Sequence, residues 1–141
     1  MNQKNIMEYE TVDIDIEKKE LLIIDQTKLP GTTEILRLST AKEIWDAIYL
    51  LQVRGAPAIG VSAAFGIYIL ATQIKADDFD TFYAEFAKQR DYLDSSRPTA
   101  VNLSWALKRM DAVCVANKDK YRDELLDILL KEALAIKEED T

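Results

Sequence analysis

The chain has no histidine among its 141 residues and a single cysteine, Cys114. The lack of histidine removes the commonest metal ligand and the commonest general acid or base near neutral pH. One cysteine cannot form an intramolecular disulfide, which suits a reducing, cytoplasmic setting. No Cys/His cluster has zinc spacing and no D-x-D-x-D-G run has calcium spacing, so neither of these metal sites is expected. Basic residues are also in deficit, 18 against 25 acidic ones, for a formal net charge of −7. That balance argues against general nucleic-acid binding, where Lys and Arg must neutralise phosphates. It leaves room for one anion site built from a pair of arginines. The N-terminal MNQKNIMEYE lacks an apolar signal core. The longest apolar stretch, residues 56–71, contains Ser62 and falls short of the ~20 apolar residues that cross a bilayer. A buried core helix is expected there, and no membrane partner.

What is present suits one domain: 48% hydrophobic and 30% charged residues. YETVDIDI alternates, with Val12, Ile14 and Ile16 on one face, and LLIID follows a polar turn at residues 17–20. This predicts a hairpin. Pro30-Gly31 signals a further turn, and TTEILRLS a third strand. After Ser39 the period changes. Thr40 with Glu43 fits a capping box, and Ile44, Ala47, Ile48 and Leu51 repeat at helical spacing. A second helix is expected from about Pro57, a third over 78–93, a fourth from about Pro98 to Val115, and a fifth over 120–138. Phe79, Phe82, Tyr83 and Phe86 read as core, and Asn117 or Asp119 as punctuation. Gly60 and Gly66 lower helix stability, so their use implies close approach by another backbone or a ligand. There is no internal repeat or low-complexity linker. The expected fold is α+β: a small antiparallel sheet of about three strands over residues 9–38, then about five helices over 40–138.

Two short stretches share one logic. Arg54-Gly55-Ala56-Pro57 and Ser95-Ser96-Arg97-Pro98-Thr99 each place an arginine directly before an expected helix start. Helix N-termini present unpaired N–H groups and partial positive charge, which bind phosphate or carboxylate. Arginine adds a planar fork of donors. Gly55 leaves its amide open to approach, and Pro57 both pre-sets the helical φ and stiffens Ala56. The same residues also suit an ordinary loop in which Arg54 pairs with a surface carboxylate. Ser95 and Ser96 read as capping or turn residues. Thr99 and Asn102 read as caps or back-bonding side chains.

Other positions carry less chemistry. Cys114, between Val113 and Val115, reads as a buried inert thiol. Asp25 could orient an arginine or simply face solvent. Trp45 and Trp105 read as core or interface anchors, and the KEED run at 137–140 as a solvated face.

Four motifs then act together. DQTKLPG (25–31), VRGAPAIGV (53–61), SRPTAVNLSWAL (96–107) and ALAIKEED (133–140) resemble, in order, the N-terminal part of the methylthioribose-1-phosphate isomerase family. The resemblance implies an aldose–ketose isomerisation of 5-methylthioribose 1-phosphate to 5-methylthioribulose 1-phosphate in methionine salvage, with no metal or nucleotide. It implies that Arg54, Gly55, Ala56 and Arg97 bind the sugar phosphate, and that the complete enzyme is a homodimer. The family's catalytic cysteine and aspartate lie in a Rossmann-like second domain. On this reading, residues 1–141 are the substrate-clamping domain, the catalytic domain or a second chain is the missing partner, and no residue here is catalytic. Cys114 lies in the wrong motif context to be the family's cysteine. The same superfamily contains ribose-1,5-bisphosphate isomerases and non-catalytic regulatory subunits of a translation-initiation exchange factor, which stay open as alternatives.

Overall fold

A computed structural model describes residues 10–25, 34–49, 56–98 and 100–140. Three strands come first: β1 Glu10–Asp15, β2 Glu20–Asp25 and β3 Glu34–Leu38. They form an antiparallel sheet in the order β1-β2-β3. Alternation sets which face is which. Val12 lies opposite Ile23, Ile14 opposite Leu21, Leu21 opposite Leu38 and Ile23 opposite Leu36, so one face is apolar. On the other face Arg37 donates to Asp15 (3.2 Å) and Glu20 (2.9 Å). The hairpin turn is Ile16–Lys19, one residue earlier than the polar run suggests. Lys19 takes φ 57°, a left-handed conformation uncommon for a residue with a Cβ. Ile16 leaves the apolar face and is exposed.

Five helices follow: α1 Ala41–Tyr49, α2 Ala56–Thr72, α3 Phe79–Asp94, α4 Val101–Ala116 and α5 Arg122–Asp140. The capping box at α1 is present. Glu43 N–H donates to Thr40 Oγ1 (3.1 Å), and Thr40 and Ser39 N–H donate to Glu43 Oε1 (3.2 and 3.1 Å). Leu51 lies outside the described residues, so the expected end of that stripe does too. Asn117 ends α4, its amide donating to Val113 O (2.8 Å).

The centre of the molecule is α2. It is apolar all round because it is covered all round: it packs against the sheet and against α1, α3, α4 and α5. Its buried residues include Val61, Phe65, Ile67 and Ile69. A Cβ at Gly66 would lie 2.9 Å from Ile44 Cγ2, so glycine there admits α1. Phe82 and Phe86 join this core, with Phe79 and Tyr83 packed beside them. Of the two places expected for Trp105 it does not take the core: it is 48% exposed, with the Arg109 guanidinium 5.4 Å from its ring centre. The KEED run is likewise more than a solvated face. Lys137 reaches Asp13 on β1 (3.1 Å), and Glu139 accepts two bonds from Arg109 (2.8 and 2.7 Å).

Candidate anion site at the helix N-termini

The N-terminal turns of α2 and α4 touch. A Cβ on Gly60 would lie 3.2 Å from the Asn102 carbonyl oxygen and 3.8 Å from Ala106 Cβ. Glycine is what lets the two backbones meet, as the sequence suggests, and the approaching group is another backbone. Two helix starts are thereby placed side by side. Their partial positive charges lie on one end of the molecule.

The start of α4 is open. Its N-cap is Ala100, in extended conformation (φ −81°, ψ 106°), and among the described residues no side chain caps it. Asn102 therefore does not play the capping part suggested for it, and Thr99 lies outside the described residues. The first intrahelical bond runs from Ser104 N–H to Ala100 O (3.2 Å). An uncapped first turn leaves backbone N–H groups directed out of the helix, the arrangement that receives anions.

Arg97 is not directly before the helix, as its motif suggests. Pro98 serves the turn after α3, and α4 begins at Val101. Ala100 N–H donates to Arg97 O (2.9 Å), folding the chain back so that Arg97 stays next to the α4 start. Proline's fixed φ suits the second position of such a turn as well as it suits the first residue of a helix. The guanidinium-bearing residue is partly buried. Ser95 and Ser96 finish α3 and do not start α4. Ser95 N–H donates to Asp91 O (3.1 Å) and Tyr92 O (3.2 Å). The hydroxyls of Ser95 and Ser96 donate to Tyr92 O (2.6 Å) and Leu93 O (2.7 Å).

Arg54 and Gly55 lie outside the described residues. Ala56 is the first residue of α2, its side chain outside the described set. Asp25 closes β2, and its side chain is likewise outside that set. Cys114 is remote in character: fully buried, its thiol pushed up to about 12 by burial and by the Asp111 charge. It is the inert thiol expected. Two features escape sequence reading. Trp45 on α1 donates its indole N–H to Ser95 Oγ (3.0 Å), across 50 residues of chain. Asp94, the last residue of α3, holds one carboxylate oxygen buried with no hydrogen-bond partner among the described residues.

A three-stranded antiparallel meander leading into five helices, with two helices meeting near their starts at a glycine, defines an α+β class. Comparison with known proteins makes this particular. The initiation factor 2 subunit family matches residues 52–141, and the chain belongs to that family. A methylthioribose-1-phosphate isomerase of Parabacteroides distasonis is 55% identical over 120 residues, covering 85% of this chain and 36% of that protein. A 5-deoxyribose 1-phosphate isomerase of Clostridium botulinum is 48% identical over 126 residues, covering 89% of this chain and 36% of that protein. The crystal structure of 5-methylthioribose 1-phosphate isomerase from Pyrococcus horikoshii OT3 superposes with a TM-score of 0.82 at 33% identity, over 98% of this chain and 39% of that one. The chain thus spans about a third of the length of the relatives it matches. Among the described residues, no helix is long and apolar enough to cross a membrane.

Proposed function

We propose that residues 1–141 form the substrate-clamping part of a cytoplasmic aldose–ketose isomerase of methionine salvage, acting on 5-methylthioribose 1-phosphate. The observation that carries this is the contact between the α2 and α4 N-terminal turns at Gly60 and Asn102. It sets the first turns of α2, which begins at Ala56, and of α4, which follows the Arg97 turn, against each other; in the sequence Arg54 and Gly55 directly precede Ala56. On this reading Arg54, Gly55, Ala56 and Arg97 hold the sugar phosphate. The arginines supply charged forks and the helix starts supply backbone donors.

Binding of this kind supplies position and charge complementarity. The isomerisation itself needs more. The phosphate at C1 locks the ring, so the ring must open before hydrogen moves between C1 and C2. Both steps need a positioned acid and base. We assign these to the part of the relatives that this chain does not span, and take that part, with a second copy in a homodimer, as the chain's partners. Cys114 stays out of the chemistry, because a thiol titrating near 12 holds almost no thiolate at neutral pH.

The relatives named for 5-deoxyribose 1-phosphate, at 48% identity, favour a second substrate that differs only at C5. The test is calorimetric titration of the chain with each sugar phosphate, unaltered and as Arg97→Ala. Loss of one charged bidentate contact should weaken binding about tenfold or more, with the thermal midpoint unmoved. Equal affinity in the two proteins overturns the assignment of Arg97. A clear preference between the two sugars decides the substrate.

A further inference from the structure

The turn that carries Arg97 is held from outside its own helix. Ser95 Oγ donates to Tyr92 O (2.6 Å), which leaves its lone pairs facing away, and one of them accepts the Trp45 indole N–H (3.0 Å). Trp45 sits in the middle of an aromatic row. Its ring stacks on Tyr49 at 4.9 Å and on Tyr92 at 6.0 Å between centroids. Tyr49 is 55% exposed and Tyr92 38% exposed. Trp45 packs against the core from its edge and places its single polar atom on one hydroxyl. An indole has one donor and no acceptor, so its orientation is specified by that contact. Trp45 also lies on α1, the helix that the chain leaves to reach Arg54. Below the turn, Ser96 is 3% exposed and its N–H and hydroxyl both go to Leu93 O (3.1 and 2.7 Å). The turn is therefore anchored at Ser96 to α3 and at Ser95 to α1, and Arg97 is the next residue.

We propose that Trp45 is a positioning residue. Its N–H bond to Ser95 fixes the Ser95–Pro98 turn and so aims Arg97 at the anion site shared by the α2 and α4 starts. The value of Arg97 to a phosphate lies in a fork held at the right angle, since a preset donor loses less freedom on binding. The aim toward a ligand rests on the sugar-phosphate reading above; the bracing of the turn does not.

Three variants of the chain test it: Trp45→Phe, which keeps a stacking ring and removes the donor; Ser95→Ala; and Ser95→Thr, which restores a hydroxyl. Residue-resolved amide hydrogen exchange reads the turn through Ser96 and Ala100, whose N–H groups bond Leu93 O and Arg97 O. Titration with inorganic phosphate and with 5-methylthioribose 1-phosphate reads the site. In Trp45→Phe and Ser95→Ala, exchange should quicken at Ser96 and Ala100 while buried amides of α2 stay as they were. Affinity should fall roughly fivefold, the measure of one net hydrogen bond, and Ser95→Thr should recover it. Unchanged exchange at both amides overturns the proposal, as does faster exchange with undiminished affinity. If the unaltered chain binds neither ligand, the sugar-phosphate reading falls. Quickened exchange confined to the turn then still supports Trp45 as its brace.

Discussion

The two ends of α2 are finished in opposite ways. At its C-terminal end the carbonyls of the last turn are taken up: Gln73 and Ile74 N–H bond Leu70 O and Ala71 O (both 3.1 Å). Arg122, the first residue of α5, donates to Thr72 O (2.9 Å) and to Ile74 O (2.9 and 3.1 Å). Gln73 reaches Ser39 O (2.6 Å), and Thr72 Oγ1 turns back to Ile69 O (2.6 Å). The N-terminal end instead meets a second helix start that no side chain of the described residues caps. Protein groups close the first end, and at the other no described side chain takes up the first-turn donors of α4. Unsatisfied helix ends are costly when buried, so an open end beside Arg97 is where an anion would be most favoured.

The largest effect should come from breaking the closed end. Arg122→Ala removes charge-assisted bonds to two carbonyls and should lower unfolding free energy by about 2 kcal/mol in a denaturant titration. Phosphate affinity should not change. The helix between the two ends has 17 residues, a length of about 25 Å, well beyond the ~8 Å screening length at physiological salt. A large loss of affinity in this variant would mean that the two ends are coupled.

A smaller effect, of opposite sign, should come from closing the open end. Ala100 already has the extended backbone of an N-cap, so Ala100→Asp can accept from the first-turn N–H groups without rebuilding the turn. It should raise stability by about 1 kcal/mol and weaken phosphate binding, because the new carboxylate occupies the same donors and repels the ligand. Gain of stability with full affinity would show that the anion uses other groups.

Much of this architecture is legible locally. Capping boxes, helical repeats and strand alternation involve residues within four positions of one another, so Thr40–Glu43 and the Phe79–Phe86 repeat could be read directly. Gly60 was legible as a close approach, though not which backbone approaches. The Arg97 turn was harder, because proline fits a turn and a helix start equally and nothing local separates them. The closure of α2 by Arg122 and the Trp45–Ser95 bond lie 48 to 50 residues apart in the chain. No periodicity reports such contacts. They arise when packing brings α5 to the end of α2 and α1 to the end of α3.

The smallest effect contrasts two helix starts through acid. At the start of α1, N–H groups of Ser39 and Thr40, and then the Thr40 hydroxyl, hold the Glu43 carboxyl below its ordinary value of 4.5. Above pH 4.5 the carboxylate is ionised in folded and unfolded chains alike, and its stabilisation is complete. As pH falls below 4.5 the unfolded chain takes up this proton first, so the contribution shrinks until the folded group is also protonated. Asp78, which caps α3 by accepting from Thr81 N–H (2.8 Å), is lowered chiefly by that same backbone bond and acts in the same direction. Among the described residues the start of α4 has no side-chain cap, and no capping carboxylate there adds such a slope. Glu43→Gln keeps an oxygen that can accept from the backbone but cannot titrate there. Thermal midpoints followed from pH 6 to about pH 3 should therefore fall less steeply in Glu43→Gln than in the unaltered chain. Parallel curves would show that this capping bond carries no acid dependence, and that the contrast between closed and open helix starts lies in geometry alone.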